Sequence, residues 1–94
     1  MTVLRIEHPV RDLAGWRKAF DADPIGRKRF GVKHYRIYHP SDDSNYVIVE
    51  LDFEEASKAE ETLATLRKLW EKVEGTVMMN PQTRMLELIE SRVV

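Results

Sequence analysis

Residues 52–73 read DFEEASKAEETLATLRKLWEKV. Ala56, Ala59, Leu63, Leu66, Trp70 and Val73 step through this stretch by 3, 4, 3, 4 and 3. That spacing puts all six on one side of an α-helix of about five turns. Asp52 and Glu55 have the spacing of a capping box with Asp as the acceptor. Gly75 supplies a left-handed stop. The stretch therefore predicts a long helix with a continuous apolar seam, which must lie against another layer.

The sequence on either side predicts that layer to be a sheet. Upstream, Tyr46 to Leu51 alternates, with Val47, Val49 and Leu51 on one side. The segment Pro40 to Asn45 is dense in turn formers. Before it, Val32 to His39 alternates Val32, His34, Arg36 and Tyr38 with Lys33, Tyr35, Ile37 and His39. Two such runs across a turn predict a hairpin. If the loop is centred symmetrically, His34 lies opposite Glu50 and Tyr38 opposite Tyr46; a two-residue slip pairs Arg36 with Glu50 instead. Downstream, Asn80-Pro81 precedes a strand from about Thr83 to Glu90.

Near the start, Thr2 to His8 alternates Leu4, Ile6 and His8 with Val3, Arg5 and Glu7, and Pro9 ends the strand. Asp12 is a good N-cap for a first helix whose stripe is Leu13, Trp16 and Phe20. Asp23-Pro24 interrupts that stripe and reads as the start of a short further helix ended by Gly31.

The order strand, helix, strand, strand, helix, strand is the split-βαβ pattern. It predicts an α+β, ferredoxin-like βαββαβ domain over residues 1–94. Right-handed crossovers put both helices on one face of a four-stranded antiparallel sheet of order 4-1-3-2. The expected helix-facing residues are Leu4, Ile6, Tyr35, Ile37, Val47, Val49, Leu51, Leu86 and Leu88. The other face takes Val3, Arg5, Glu7, His34, Arg36 and Tyr38 from the first two strands, Tyr46, Ile48 and Glu50 from the third, and Met85, Glu87 and Ile89 from the last. Such a mixture of apolar groups and complementary charges suits a second sheet packed against it, hence a homodimer through sheet faces.

Composition bounds the function classes. The chain has 94 residues, 43% hydrophobic and 33% charged, with formal net charge −1. That is ordinary for a globular domain and excludes disorder on compositional grounds. No apolar run approaches a membrane span, and the N-terminus has no secretory stretch. There is no cysteine, so disulfides, thiolate metal sites and cysteine nucleophiles are absent, and a cytoplasmic setting is expected. Fifteen basic against sixteen acidic residues give no electrostatic case for nucleic acid. There is no phosphate-binding glycine array and no nucleophile-elbow motif.

Three segments carry a likeness to a known family: DLAGWRKAFDAD at 12–23, FGVKHYRIYHPSDDSNYVIVELDF at 30–53 and NPQTRMLELIE at 80–90. Over nearly its whole length the chain resembles the dimeric α/β-barrel superfamily, in its branch of small antibiotic-biosynthesis-monooxygenase-like proteins. The resemblance implies two ferredoxin-like protomers whose sheets form a joint barrel with the helices outside. Members include cofactor-free oxygenases, haem-degrading enzymes, isomerases and many proteins without an assigned activity, so fold does not convert to function. The haem-degrading members use a histidine on a helix as axial ligand. Neither predicted helix here carries a histidine, which speaks against haem; the expected enzyme holds no cofactor.

The resemblance also implies a ligand site between sheet and helices. Trp16, Phe20, Tyr35, His39 and Trp70 are the candidates to enclose a flat aromatic molecule, with His8 or His39 moving a proton. The alternative for the aromatic stripe is plain core packing. A second candidate is the other sheet face, where His34 beside Glu50 has the makings of a general base; its alternative is a charge network that sets dimer register. The spacing of His8, His34 and His39 matches no metal motif, so no metal is expected. The basic run Arg27, Lys28, Arg29, Lys33 and Arg36 reads as a solvated surface or an anion contact. These readings lead to a small homodimeric protein acting as a cofactor-free monooxygenase- or isomerase-like enzyme on an aromatic or quinone-like molecule. The alternative is a non-catalytic small-molecule-binding or assembly module of the same fold.

Overall fold

A computed structural model describes residues 1–73 and 80–94, the Val73 side chain excepted. The elements run β1 (Thr2–Pro9), α1 (Leu13–Asp21), β2 (His34–Tyr38), β3 (Tyr46–Phe53), α2 (Ala56–Val73) and β4 (Gln82–Glu87). The four strands form one antiparallel sheet of order β2-β3-β1-β4. This is the expected 4-1-3-2 order read from the other edge, and the fold is ferredoxin-like.

The helices lie where the apolar stripes require. Leu4, Ile6, Val47, Val49, Leu51 and Phe53 form the buried floor, and Trp16, Ala59 and Trp70 pack down onto it. Leu13, Phe20, Leu63 and Leu66 complete both seams. Asp12 caps α1 as expected, its carboxylate accepting the Gly15 amide at 2.9 Å. Gly75 and the Val73 end of the seam lie outside the described residues.

Four expectations are corrected. First, Asp52 does not cap α2. β3 runs on to Phe53, and the Asp52 carboxylate takes a two-pronged grip from Arg36, at 2.8 Å from Nη1 and 2.7 Å from Nη2. A paired guanidinium outcompetes a helix amide for a carboxylate. In the first turn of α2 the Lys58 and Ala59 amides donate to the Glu55 carbonyl.

Second, residues 23–31 form no helix. Asp23 adopts φ +51° and Gly26 φ +74°, both left-handed. The segment is a chain of turns, with the Gly26 amide bonded to the Asp23 carbonyl and that of Arg29 to Gly26. Gly31, expected to end that helix, is left-handed at φ +89°.

Third, of the two registers the sequence left open the hairpin takes the slipped one, which parts His34 from Glu50. Arg36 faces Glu50, His34 faces Asp52 and Tyr38 faces Ile48. The alignment lets one guanidinium serve two carboxylates, Glu50 at 3.0 Å and Asp52.

Fourth, β4 has the opposite phase from that expected. Met85 pairs with Leu4 and packs on the core, while Leu86 pairs with Val3 on the other face. Glu87 sits on the helix side, bonded by the Thr2 hydroxyl. Leu88 and Ile89 follow the strand, and Ile89 is 96% exposed.

Candidate active site

A cavity of about 340 Å³ opens between the sheet and the helices. Ile6, Val49 and Leu51 form its floor. Trp16, Ala19 and Phe20 of α1 make one wall, and Leu66, Leu69 and Trp70 of α2 face them. The turns after α1 close the end with Ala22, Pro24, Ile25 and Arg27. The volume is at the lower end of the roughly 300–1000 Å³ usual for small-molecule sites.

His8 is the titratable group set deepest in this apolar space. It follows Leu4 and Ile6 in the alternation of β1, so its ring points to the helix side, and the residue is 1% exposed. Nδ1 lies 2.9 Å from the Pro9 carbonyl oxygen. A carbonyl only accepts, so Nδ1 carries the proton and Nε2 the lone pair. Nε2 has no protein hydrogen bond among the described residues. Loss of water around the ring outweighs the Pro9 bond and lowers the His8 pKa below its ordinary 6.5. At neutral pH the site therefore presents an uncharged proton acceptor within an apolar cavity.

A row of rings leads away from it. His8 and Trp16 have centroids 6.2 Å apart; Trp16 stacks on Phe20 at 5.1 Å with 24° between planes. Phe20 meets Tyr35 edge-on at 5.0 Å. At the far end the Arg27 guanidinium lies 4.0 Å over the Phe20 ring and 5.1 Å from that of Tyr35. Its Nη1 donates to the Phe20 carbonyl at 2.7 Å. The Arg27 backbone amide donates to Asp23 Oδ1 at 2.9 Å, and Nη1 is 3.5 Å from the same oxygen. The left-handed Asp23 is what folds the chain back so that Arg27 covers the last ring.

Of the residues singled out in the sequence, His8, Trp16, Phe20 and Trp70 come together around the cavity. Tyr35 flanks it through Phe20 and is 44% exposed. His39 is exposed beyond the end of β2, its Nδ1 against the Pro40 carbonyl oxygen at 2.7 Å. His34 and Glu50 lie on the other face and do not form the anticipated pair, because the slipped register gives Glu50 to Arg36. Arg36 also holds the Asp52 carboxyl below the usual carboxylate range, chiefly by direct hydrogen bonding, with Asp52 only 4% exposed. The sequence reading missed Leu69 and Ile25, and it read Arg27 as part of a basic run, a solvated surface or an anion contact, without placing it at the cavity. The signal for Arg27 was Asp23 four residues earlier, a local anchor that its basic neighbours lack. No group of three or more metal-ligating side chains occurs among the described residues.

No protein-family model and no curated protein matches the chain. Solved structures do. A proposed antibiotic biosynthesis monooxygenase of Deinococcus radiodurans superposes with TM-score 0.76 at 10% identity, covering 100% of this chain and 98% of that one. SnoaB, a cofactor-independent oxygenase of Streptomyces nogalater, gives 0.73 at 9% identity, covering 96% and 94%. A dimeric ferredoxin-like protein from an uncultured marine organism gives 0.69 at 8% identity, covering 100% of both chains. At these identities the likeness is one of fold, extending over the whole chain. No helix among the described residues is long and apolar enough to cross a membrane.

Proposed function

We propose that this protein is an enzyme acting on a small, flat phenol- or quinol-like molecule, with His8 as the proton acceptor. The observation that carries this reading is the His8 imidazole, its protonated nitrogen fixed on the Pro9 carbonyl and its lone pair unengaged in a cavity of ring size. The ligand ring lies among Trp16, Phe20 and Trp70, where aromatic faces favour a flat partner. Its hydroxyl proton passes to Nε2. The resulting imidazolium is stabilised by the Nδ1–H bond to Pro9, and the phenolate left behind is electron-rich.

Such a phenolate has two outcomes. It reacts with dioxygen, one oxygen atom replacing a ring C–H as a carbonyl and the other leaving as water, with the electrons supplied by the substrate itself. Or it takes the proton back at a carbon, which is an isomerisation. The cofactor-independent oxygenase of the same fold supports the first. Two copies pair through the sheet face opposite the helices, a reading supported by the ion-paired, partly apolar character of that face and by the dimeric neighbour.

The test is oxygen uptake with 1-naphthol and 1,4-naphthohydroquinone. Turnover above the spontaneous rate, reduced about 100-fold or more in His8→Ala, is the expected result. The rate rises with pH as His8 loses its proton and levels off by neutrality, since its pKa lies below 6.5. Absence of turnover with unchanged ligand binding in His8→Ala would leave only a binding module.

A further inference from the structure

We infer that the ligand of this cavity is an aromatic carboxylate, its anionic group bound by Arg27 at the end of the ring row away from His8. The inference rests on the small-aromatic reading above and narrows it to a charge class. The wall made by the turns after α1 contributes one cation, and the protein has fixed it there. Phe20 supplies both a carbonyl for Nη1 and a ring face for the guanidinium, while Tyr35 lies beside Phe20 with its ring 5.1 Å from the guanidinium. The side chain is 18% exposed. A guanidinium carries five donors. Here Nη1 is engaged, while Nε and Nη2 make no hydrogen bond among the described residues. Asp23 does not use them, since its Oδ1 takes the Arg27 backbone amide and sits 3.5 Å from Nη1 alone.

The chemistry of what remains selects the ligand. A planar pair of N–H groups fits the two oxygens of a carboxylate, and the bond is stronger where water is partly excluded. His8 and Arg27 stand at opposite ends of a row in which each ring touches the next. A molecule lying along that row meets a proton acceptor at one end and an anion receptor at the other. That matches a ring system bearing a hydroxyl at one end and a carboxylate at the other. Arg27 is thus a binding and specificity residue, and His8 the one that moves the proton.

The experiment is calorimetric titration of the whole chain with 2-naphthoate and, separately, its neutral isostere 2-naphthamide. Naphthoate is expected to bind about tenfold or more tightly than the amide, the worth of a charge-assisted hydrogen bond. Raising sodium chloride from 50 to 500 mM weakens naphthoate and leaves the amide unchanged. Arg27→Gln removes the preference, weakening naphthoate far more than the amide. Arg27 also braces the turns, so that variant can lose its fold; the salt series on the unaltered protein then decides alone. Equal affinity of the two compounds, or a naphthoate affinity indifferent to salt, overturns the inference and leaves the small-aromatic reading standing. Failure of both compounds to bind overturns both.

Discussion

At the scale of single residues, the balance at His8 decides what the cavity can do. A buried histidine held neutral is proton-poor relative to the same residue in the unfolded chain. Between the folded pKa and 6.5 the unfolded state binds more protons, so stability falls as pH drops through that window and levels off below the folded pKa. Replacing His8 by Asn removes this dependence. Urea denaturation at pH 7.5 and pH 5 is expected to show a smaller loss of stability on acidification in His8→Asn than in the unaltered protein. An equal loss in both would mean that His8 is not held neutral by burial. His8 was legible as a candidate because alternation in β1 put it in line with Leu4 and Ile6. The Pro9 anchor was not, because it depends on a ring torsion that no residue pattern encodes. Arg27 was legible as a surface or anion-contact residue, but its place at the cavity was not, because its direction is set by the left-handed Asp23 backbone.

At the scale of elements, α1 shows how a local conflict is resolved. Gly15 weakens a helix by about 1 kcal/mol relative to alanine, yet a Cβ there would stand 2.7 Å from the Asp12 carboxylate oxygen. Glycine keeps the cap in place. Asp12→Ala should cost about 1 kcal/mol. Gly15→Ala alone should be near neutral, because gained propensity offsets a displaced cap. In the Asp12→Ala background the same change should stabilise by about 0.8 kcal/mol. A thermal-denaturation double-mutant cycle measures the non-additivity; strictly additive effects would refute the conflict. Strands were legible where alternation was one-sided, as in β1 and β3. In β4, Met85, Leu86, Leu88 and Ile89 put apolar groups in both phases, and a one-residue slip exchanges the faces. Only pairing with β1 settles which phase is buried. Asp52 misled for a different reason: its spacing to Glu55 fits a cap, but Arg36, sixteen residues away in sequence, claims it.

At the scale of the whole molecule, the topology was readable because β1, α1, β3 and α2 each had one clear apolar face. The sheet face opposite the helices carries Arg5, Glu7 and Tyr46 in one cluster, with the Tyr46 hydroxyl on Glu7 at 2.9 Å, and Arg36, Glu50 and Asp52 in another. Ile48 lies between them, opposite both Glu7 and Tyr38. Light scattering should give twice the 11.0 kDa chain mass. Ile48→Asp, which sets an acid beside Glu7, should shift the particle to a single chain without loss of helical signal. A single-chain mass for the unaltered protein at micromolar concentration would remove the proposed pairing.

The walls of the cavity differ in what holds them. Floor and sides belong to strands and helices, where inserting one residue would throw every later contact out of step. The end from Ala22 to Arg27 is made of turns alone, and their bonds reach only a few residues along the chain. Evolution or design can therefore lengthen that end without disturbing the scaffold. Libraries that add residues between Pro24 and Gly26 are the natural place to refit this protein to larger guests.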